Sequence, residues 1–232
     1  MNKFELCLNC NHTVTSRYCG HCGQRRSIKR IDFASLIGEV IESGPHYTNR
    51  YAKTFKGILY APGKTIALYL AGRRTTYQGP ASYFLCGYIF FSVFSYFAVR
   101  AGIETGSFGG FDKWWFLVGT LVPAAIAYLF VTREKFTFPE TLVCFLYLYG
   151  TAFPLLVLFT ALQFAFPSPF ELVPLRFRFL VVDVPLQLIV VAITFNFVKQ
   201  SELSVRWFAV AMLLGTLYLI AFRHFAVNKL PL

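Results

Sequence analysis

The chain is predicted to be an all-α membrane protein, with about five transmembrane helices preceded by amphipathic interfacial helices and a small N-terminal zinc ribbon. Three observations predict it. Four cysteines stand near the start in two CxxC pairs, Cys7–Cys10 and Cys19–Cys22. Only 14% of the residues are charged, against about 25% in a soluble domain. Apolar stretches approaching the ~20 residues that cross ~30 Å of hydrocarbon recur through the later part of the chain. Composition divides the sequence into a ribbon at 1–30, a basic amphipathic juxtamembrane segment at 31–78 and a helical bundle at 79–232.

The ribbon comes first. Zn²⁺ takes four soft or borderline ligands at tetrahedral angles, and CxxC lets one tight turn present two sulfurs to one ion. Cys7, Cys10, Cys19 and Cys22 are therefore the predicted ligands of one structural Zn²⁺ per chain. The residues after each second cysteine are Asn11 and Gly23, the types that best tolerate the left-handed backbone such a turn needs. Eight residues, Asn11 to Tyr18, separate the pairs, room for one small hairpin. Four thiolates leave no position for water, which argues against catalytic zinc. His12 and His21 lie beside the ligands and could replace one of them. Arg17, Arg25, Arg26, Lys29 and Arg30 offset the thiolate charge. Cys86 and Cys144 stand alone in apolar runs and read as small hydrophobes. No apolar leader follows Met1, so no cleaved signal is expected.

The juxtamembrane segment reads as three short helices. Ile31, Phe33, Leu36, Ile37, Val40 and Ile41 recur near helical spacing up to Gly44-Pro45. Tyr51, Phe55, Ile58 and Leu59 share a side of a second stretch, with Arg50, Lys53 and Lys56 between them. Lys64 to Leu70 is the third, closed by Gly72-Arg73-Arg74. Helices with one apolar and one basic face lie in the membrane interface or cover the end of a bundle. On the first reading, Lys64, Arg73 and Arg74 contact anionic lipid headgroups.

The predicted spans follow in order: Ala81–Val99, Trp114–Val131, Glu140–Phe166 with a kink at Pro154, Phe179–Val198 and Trp207–Val227. Residues 1–78 hold 12 Lys/Arg against four acids, a local +8, and the remainder carries only +3. Such a flank places the N-terminus in the cytoplasm, and an odd span count places the C-terminus outside. A nucleic-acid partner is disfavoured, because the basic residues run straight into membrane sequence and the ribbon lacks interleaved aromatics. Ionisable residues inside spans are functional candidates. Asp183 and Arg223 fall at similar depth and are expected to pair, with His224 nearby; the alternative is local pairing of Asp183 and an outward-reaching Arg223. Gln163, Gln187 and Asn196 are candidate interhelical hydrogen bonders. Gly150, Pro154 and Pro185 could break helices around a transporter-type site.

One stretch carries a resemblance. Tyr18-Cys19-Gly20-His21-Cys22-Gly23-Gln24, Arg30-Ile31, Pro62-Gly63-Lys64-Thr65-Ile66, Tyr69-Leu70-Ala71-Gly72-Arg73-Arg74, Tyr77 and Pro80 resemble a bacterial family. Its members are uncharacterised multi-pass membrane proteins with an N-terminal zinc ribbon, a domain of unknown function. The resemblance implies a protein of the bacterial inner (cytoplasmic) membrane and no particular activity. No Ser/His/Asp set, H-E-x-x-H, phosphate loop or carboxylate pair is present, so the expectation leans away from an enzyme. The leading function is a scaffold that docks a cytoplasmic protein or lipid headgroups. The alternative is a transporter or channel with a polar site at Asp183, Gln187 and Arg223.

Overall fold

The computed structural model describes residues 5–43, 49–100, 112–133 and 135–165. Two short hairpins open the chain. Strand β1 (Glu5–Leu6) pairs antiparallel with β2 (Thr13–Val14), Glu5 opposite Val14. A second hairpin is marked by the antiparallel bridge between Tyr18 and Arg25. Among the described residues six α-helices follow: α1 (Phe33–Ser43), α2 (Asn49–Tyr60), α3 (Pro62–Leu70), α4 (Pro80–Arg100), α5 (Asp112–Ala127) and α6 (Phe138–Ala165).

Local chemistry sets the ends of these helices. Asp32 Oδ1 accepts from the Ser35 amide at 2.8 Å, and Ser35 Oγ accepts from the Asp32 amide at 3.1 Å, a reciprocal cap before α1. Glu140 reaches back to accept from the Thr137 amide at 2.8 Å, which supplies one half of such a cap for α6. Pro62 starts α3, where a missing N–H costs nothing. Gly72, at φ 107°, turns the chain after it, while the Arg73 amide donates to the Leu68 carbonyl at 3.0 Å.

The core forms where α1, α2 and α3 enclose the first turns of α6. Ile31, Leu36, Ile58, Ile66 and Tyr69 pack with Leu142, Val143 and Phe145. Higher up, α4 and α6 run side by side in the same direction. Tyr83 Oη meets Thr151 Oγ1 at 2.9 Å, and Phe91 clusters with Phe153 and Leu156. Glycines permit this approach. A Cβ on Gly87 would lie 2.8 Å from the Gly150 carbonyl oxygen, and one on Gly150 would lie 2.6 Å from the Tyr83 ring.

Among the described residues, two stretches are long and apolar enough to cross a membrane, Pro80–Ala98 of α4 and Phe138–Leu158 of α6. They coincide with the first and third expected spans. The second differs from expectation: α5 has 16 residues and passes into a π-helical turn, Tyr128–Thr132. There the Arg133 amide donates to the Tyr128 carbonyl at 3.1 Å, and Thr132 Oγ1 bonds Thr141 Oγ1 of α6 at 2.6 Å. Where the sequence allowed a break at Gly150 and Pro154, α6 runs as one helix through both. The fourth and fifth expected spans lie outside the described residues, with Asp183, Pro185, Gln187, Asn196, Arg223 and His224. Five spans are thus not supported by the described helices.

Candidate metal centre and its seat

The two CxxC turns repeat one backbone pattern. In the first, the Cys7 amide donates to the His12 carbonyl at 2.8 Å and the Asn11 amide to the Cys7 carbonyl at 2.9 Å. In the second, the Cys19 amide donates to the Gln24 carbonyl and the Gly23 amide to the Cys19 carbonyl, both at 2.8 Å. Asn11 at φ 60° and Gly23 at φ 72° take the left-handed conformation expected of them.

The folded turns bring four sulfurs together. The Sγ atoms of Cys7, Cys10, Cys19 and Cys22 all lie within 4.8 Å of one another. Cys7 and Cys22 are 3.5 Å apart, as are Cys10 and Cys19, and none is in a disulfide. Four sulfurs held at ~2.3 Å around a tetrahedral ion stand roughly 3.8 Å from one another, so the cluster has the dimensions of a metal site. Backbone donors favour the thiolates. The Cys22 and His21 amides lower the Cys19 thiol. Burial opposes ionisation of Cys22, but the Gln24 amide and three neighbouring sulfurs hold it down at about 6. The His12 amide favours the Cys10 thiolate, yet burial and the other sulfurs outweigh it and push that thiol up to about 12. Deprotonated sulfur is the form that binds metal.

Cys10, His12 and His21 form a second grouping with ligand atoms within 4.8 Å. The two imidazoles stack, with centroids 3.9 Å apart and planes 6° from parallel. One ion cannot lie in the plane of both rings, where each lone pair points, so four sulfurs are the better donor set.

Each turn hands one polar side chain to the same loop. Asn9, between Cys7 and Cys10, accepts through Oδ1 from Thr76 Oγ1 at 2.6 Å. Gln24, two residues past Cys22 and buried, donates to the Gly72 carbonyl and accepts from the Thr75 amide and hydroxyl, each at 3.2 Å. Leu8 and Ile28 close over Gly72, where a Cβ would sit 3.2 Å from both. The seat therefore favours glycine for its φ of 107°, and a methyl there would press on the ends of both side chains. Arg74 Nη2 donates to the Lys29 carbonyl at 2.6 Å. Arg30 forks onto Glu140, Nε to Oε1 at 2.7 Å and Nη2 to Oε2 at 2.9 Å, which ties the ribbon to α6. The loop then feeds α4 through Gln78, whose amide donates to Thr54 Oγ1 at 2.8 Å and whose carbonyl accepts from Tyr147 at 2.6 Å. Burial first, then the Glu39 carboxylate, hold the Tyr69 phenol well above its ordinary range. It stays protonated and donates to Glu39.

Of the three predicted headgroup residues, Lys64 is exposed on α3, Arg73 is half-buried and Arg74 faces the ribbon. Cys86 and Cys144 are buried, as small hydrophobes are. Sequence reasoning missed Asn9, Gln24, Thr75, Thr76 and the Arg30–Glu140 pair. Nothing local marks them, since their partners lie 48 to 110 residues away.

A family described as a protein of unknown function (DUF3667) matches residues 49–92. The matched stretch covers α2, α3, the loop that seats the cysteine turns and the first part of α4. No curated protein matches the chain, and no solved structure does.

Proposed function

We propose that this chain is a non-enzymatic scaffold of the bacterial inner membrane, spanning it several times, with its N-terminus in the cytoplasm. Its four cysteines hold one structural Zn²⁺, and the ribbon so formed is a docking module for a cytoplasmic protein. The observation that carries this reading is the double clamp, in which the turns that gather the four sulfurs also grip the loop leading into α4. A metal there fixes structure. With four thiolates the ion has no open position for a substrate or water, and a fold this small draws its stability from the ion. The apolar length of α4 and α6 supports the membrane placement, and the basic flank supports the orientation. Lys64 and Arg73 take headgroup contacts, while Arg74 joins them from the edge of the ribbon.

Metal content of the detergent-purified protein, wild type beside Cys19→Ser, tests the reading. One zinc per chain, lost in the variant, is the expected result. No zinc in the reduced wild type overturns it and returns the four cysteines to redox chemistry.

A further inference from the structure

Helix α2 has two unlike faces. Tyr51, Thr54 and Ile58 are buried. On the opposite side Arg50, Lys53, Lys56 and Tyr60 recur three, three and four residues apart, the spacing of neighbours along one side of a helix. All four are exposed. Ala52 and Leu59, also exposed, form an apolar shoulder beside the strip. Lys64, exposed in the first turn of α3, adds a further cation. No Asp or Glu occurs between Glu42 and Glu104. Of the carboxylates before and after, Asp32 accepts from Ser35, Glu39 takes the Tyr69 hydroxyl and Glu140 takes Arg30. Among the described residues, Arg50, Lys53, Lys56 and Lys64 make no ion pair.

The buried face of α2 lies at the start of both stretches long enough to cross a membrane. The Tyr51 and Tyr83 rings are 4.7 Å apart, and Thr54 Oγ1 accepts from the Gln78 amide at 2.8 Å, just before Pro80. Ile58 belongs to the cluster that holds Leu142 and Val143, in the first turns of α6. A helix beside the ends of two spans lies at headgroup depth, and cations beside an apolar shoulder suit a phosphate layer over acyl chains. We propose that the outer face of α2 binds the phosphates of anionic phospholipid headgroups through Arg50, Lys53 and Lys56, while Leu59 and Tyr60 reach the acyl boundary beside them. The proposal rests on the membrane reading and deepens it. The headgroup residues assigned above lie on α3 and the loop after it, where Arg74 turns to the ribbon.

Thermal unfolding of the full-length, zinc-loaded protein in detergent micelles tests it, with phosphatidylglycerol or phosphatidylcholine titrated in at equal mole fractions. Wild type is compared with Arg50→Gln/Lys53→Gln/Lys56→Gln, with Lys53→Arg/Lys56→Arg and with Lys64→Gln/Arg73→Gln. Gln is a good helix former, and circular dichroism with zinc content checks that each variant folds. Phosphatidylglycerol is expected to raise the wild-type midpoint more than phosphatidylcholine does, by a margin that shrinks in high salt. Each lost charge weakens the lipid about fivefold, so the triple variant loses the selective shift. The arginine variant keeps it, and Lys64→Gln/Arg73→Gln loses less of it than the triple variant. Equal shifts with the two lipids in wild type, or an undiminished selective shift in the triple variant, overturn the proposal. So does a midpoint raised by single-stranded RNA or polyglutamate and not by phosphatidylglycerol. Should the triple variant not fold, Lys53→Gln alone decides, with a fivefold loss expected and no loss overturning. Release of the protein from membranes by carbonate defeats the membrane reading itself, whereas a chain that stays embedded without lipid selectivity defeats only the assignment to α2.

Discussion

Gln24 shows how much one side chain can decide. Its amide is buried and meets three partners, the Gly72 carbonyl and the amide and hydroxyl of Thr75. Truncation removes all three hydrogen bonds, leaving the half-buried Thr75 amide and hydroxyl without that partner and the Gly72 carbonyl with the Arg74 amide alone, a loss of about 1–3 kcal/mol. Gln24→Ala is therefore expected to lower the melting midpoint while keeping the four sulfurs and their metal, because its contribution to Cys22 comes from the backbone amide. Parallel measurement of unfolding and metal content separates the two effects. Unchanged stability would show that the seat does not hold the ribbon. The clustering of the four cysteines was legible, as were the left-handed Asn11 and Gly23, since CxxC spacing and backbone tolerance are properties of neighbours in the chain. The role of Gln24 was not, since an amide beside a knuckle has the same appearance whether it meets water or a loop 48 residues away.

At the scale of elements, the contact of α4 with α6 rests on absent side chains. Gly87 and Gly150 let the two backbones approach, as small residues do between membrane helices. A methyl on Gly150 would lie 2.6 Å from the Tyr83 ring and 3.1 Å from the Phe84 Cα, and the second of these belongs to backbone that cannot swing aside. Gly150→Ala is expected to push the helices apart, break the Tyr83–Thr151 hydrogen bond and cost about 1–3 kcal/mol. Near-UV circular dichroism and unfolding in detergent read this directly, and a variant identical to wild type in both would refute the close packing. Helical spacing announced α1 and α2, the flanking Pro and Gly bounded α3, and apolar length announced α4 and α6. The π turn after Ala127 was not announced, because it is fixed by Thr132 meeting Thr141 of another helix.

For the whole molecule, α6 has two environments. It packs along α4 and α5 and meets α2 and α3 at its first turns, and 67% of its apolar window is buried, against 33% for α4. On the proposed membrane reading, Ile89, Phe90, Val93 and Phe97 of α4, all exposed, face lipid. The protein is then expected to stay with the membrane fraction at alkaline pH, and release by carbonate would refute the placement. By itself, the sequence determined what short-range chemistry determines. The cysteine pairs, the glycine and asparagine that turn them, the capped and amphipathic helices and the apolar stretches all follow from spacing and composition. Only the tertiary structure decided that both cysteine turns grip one loop, that Arg30 pins Glu140 and that α2 buries Thr54 while leaving Leu59 exposed. Each of these depends on packing or pairing between residues far apart in the chain, which local spacing does not record.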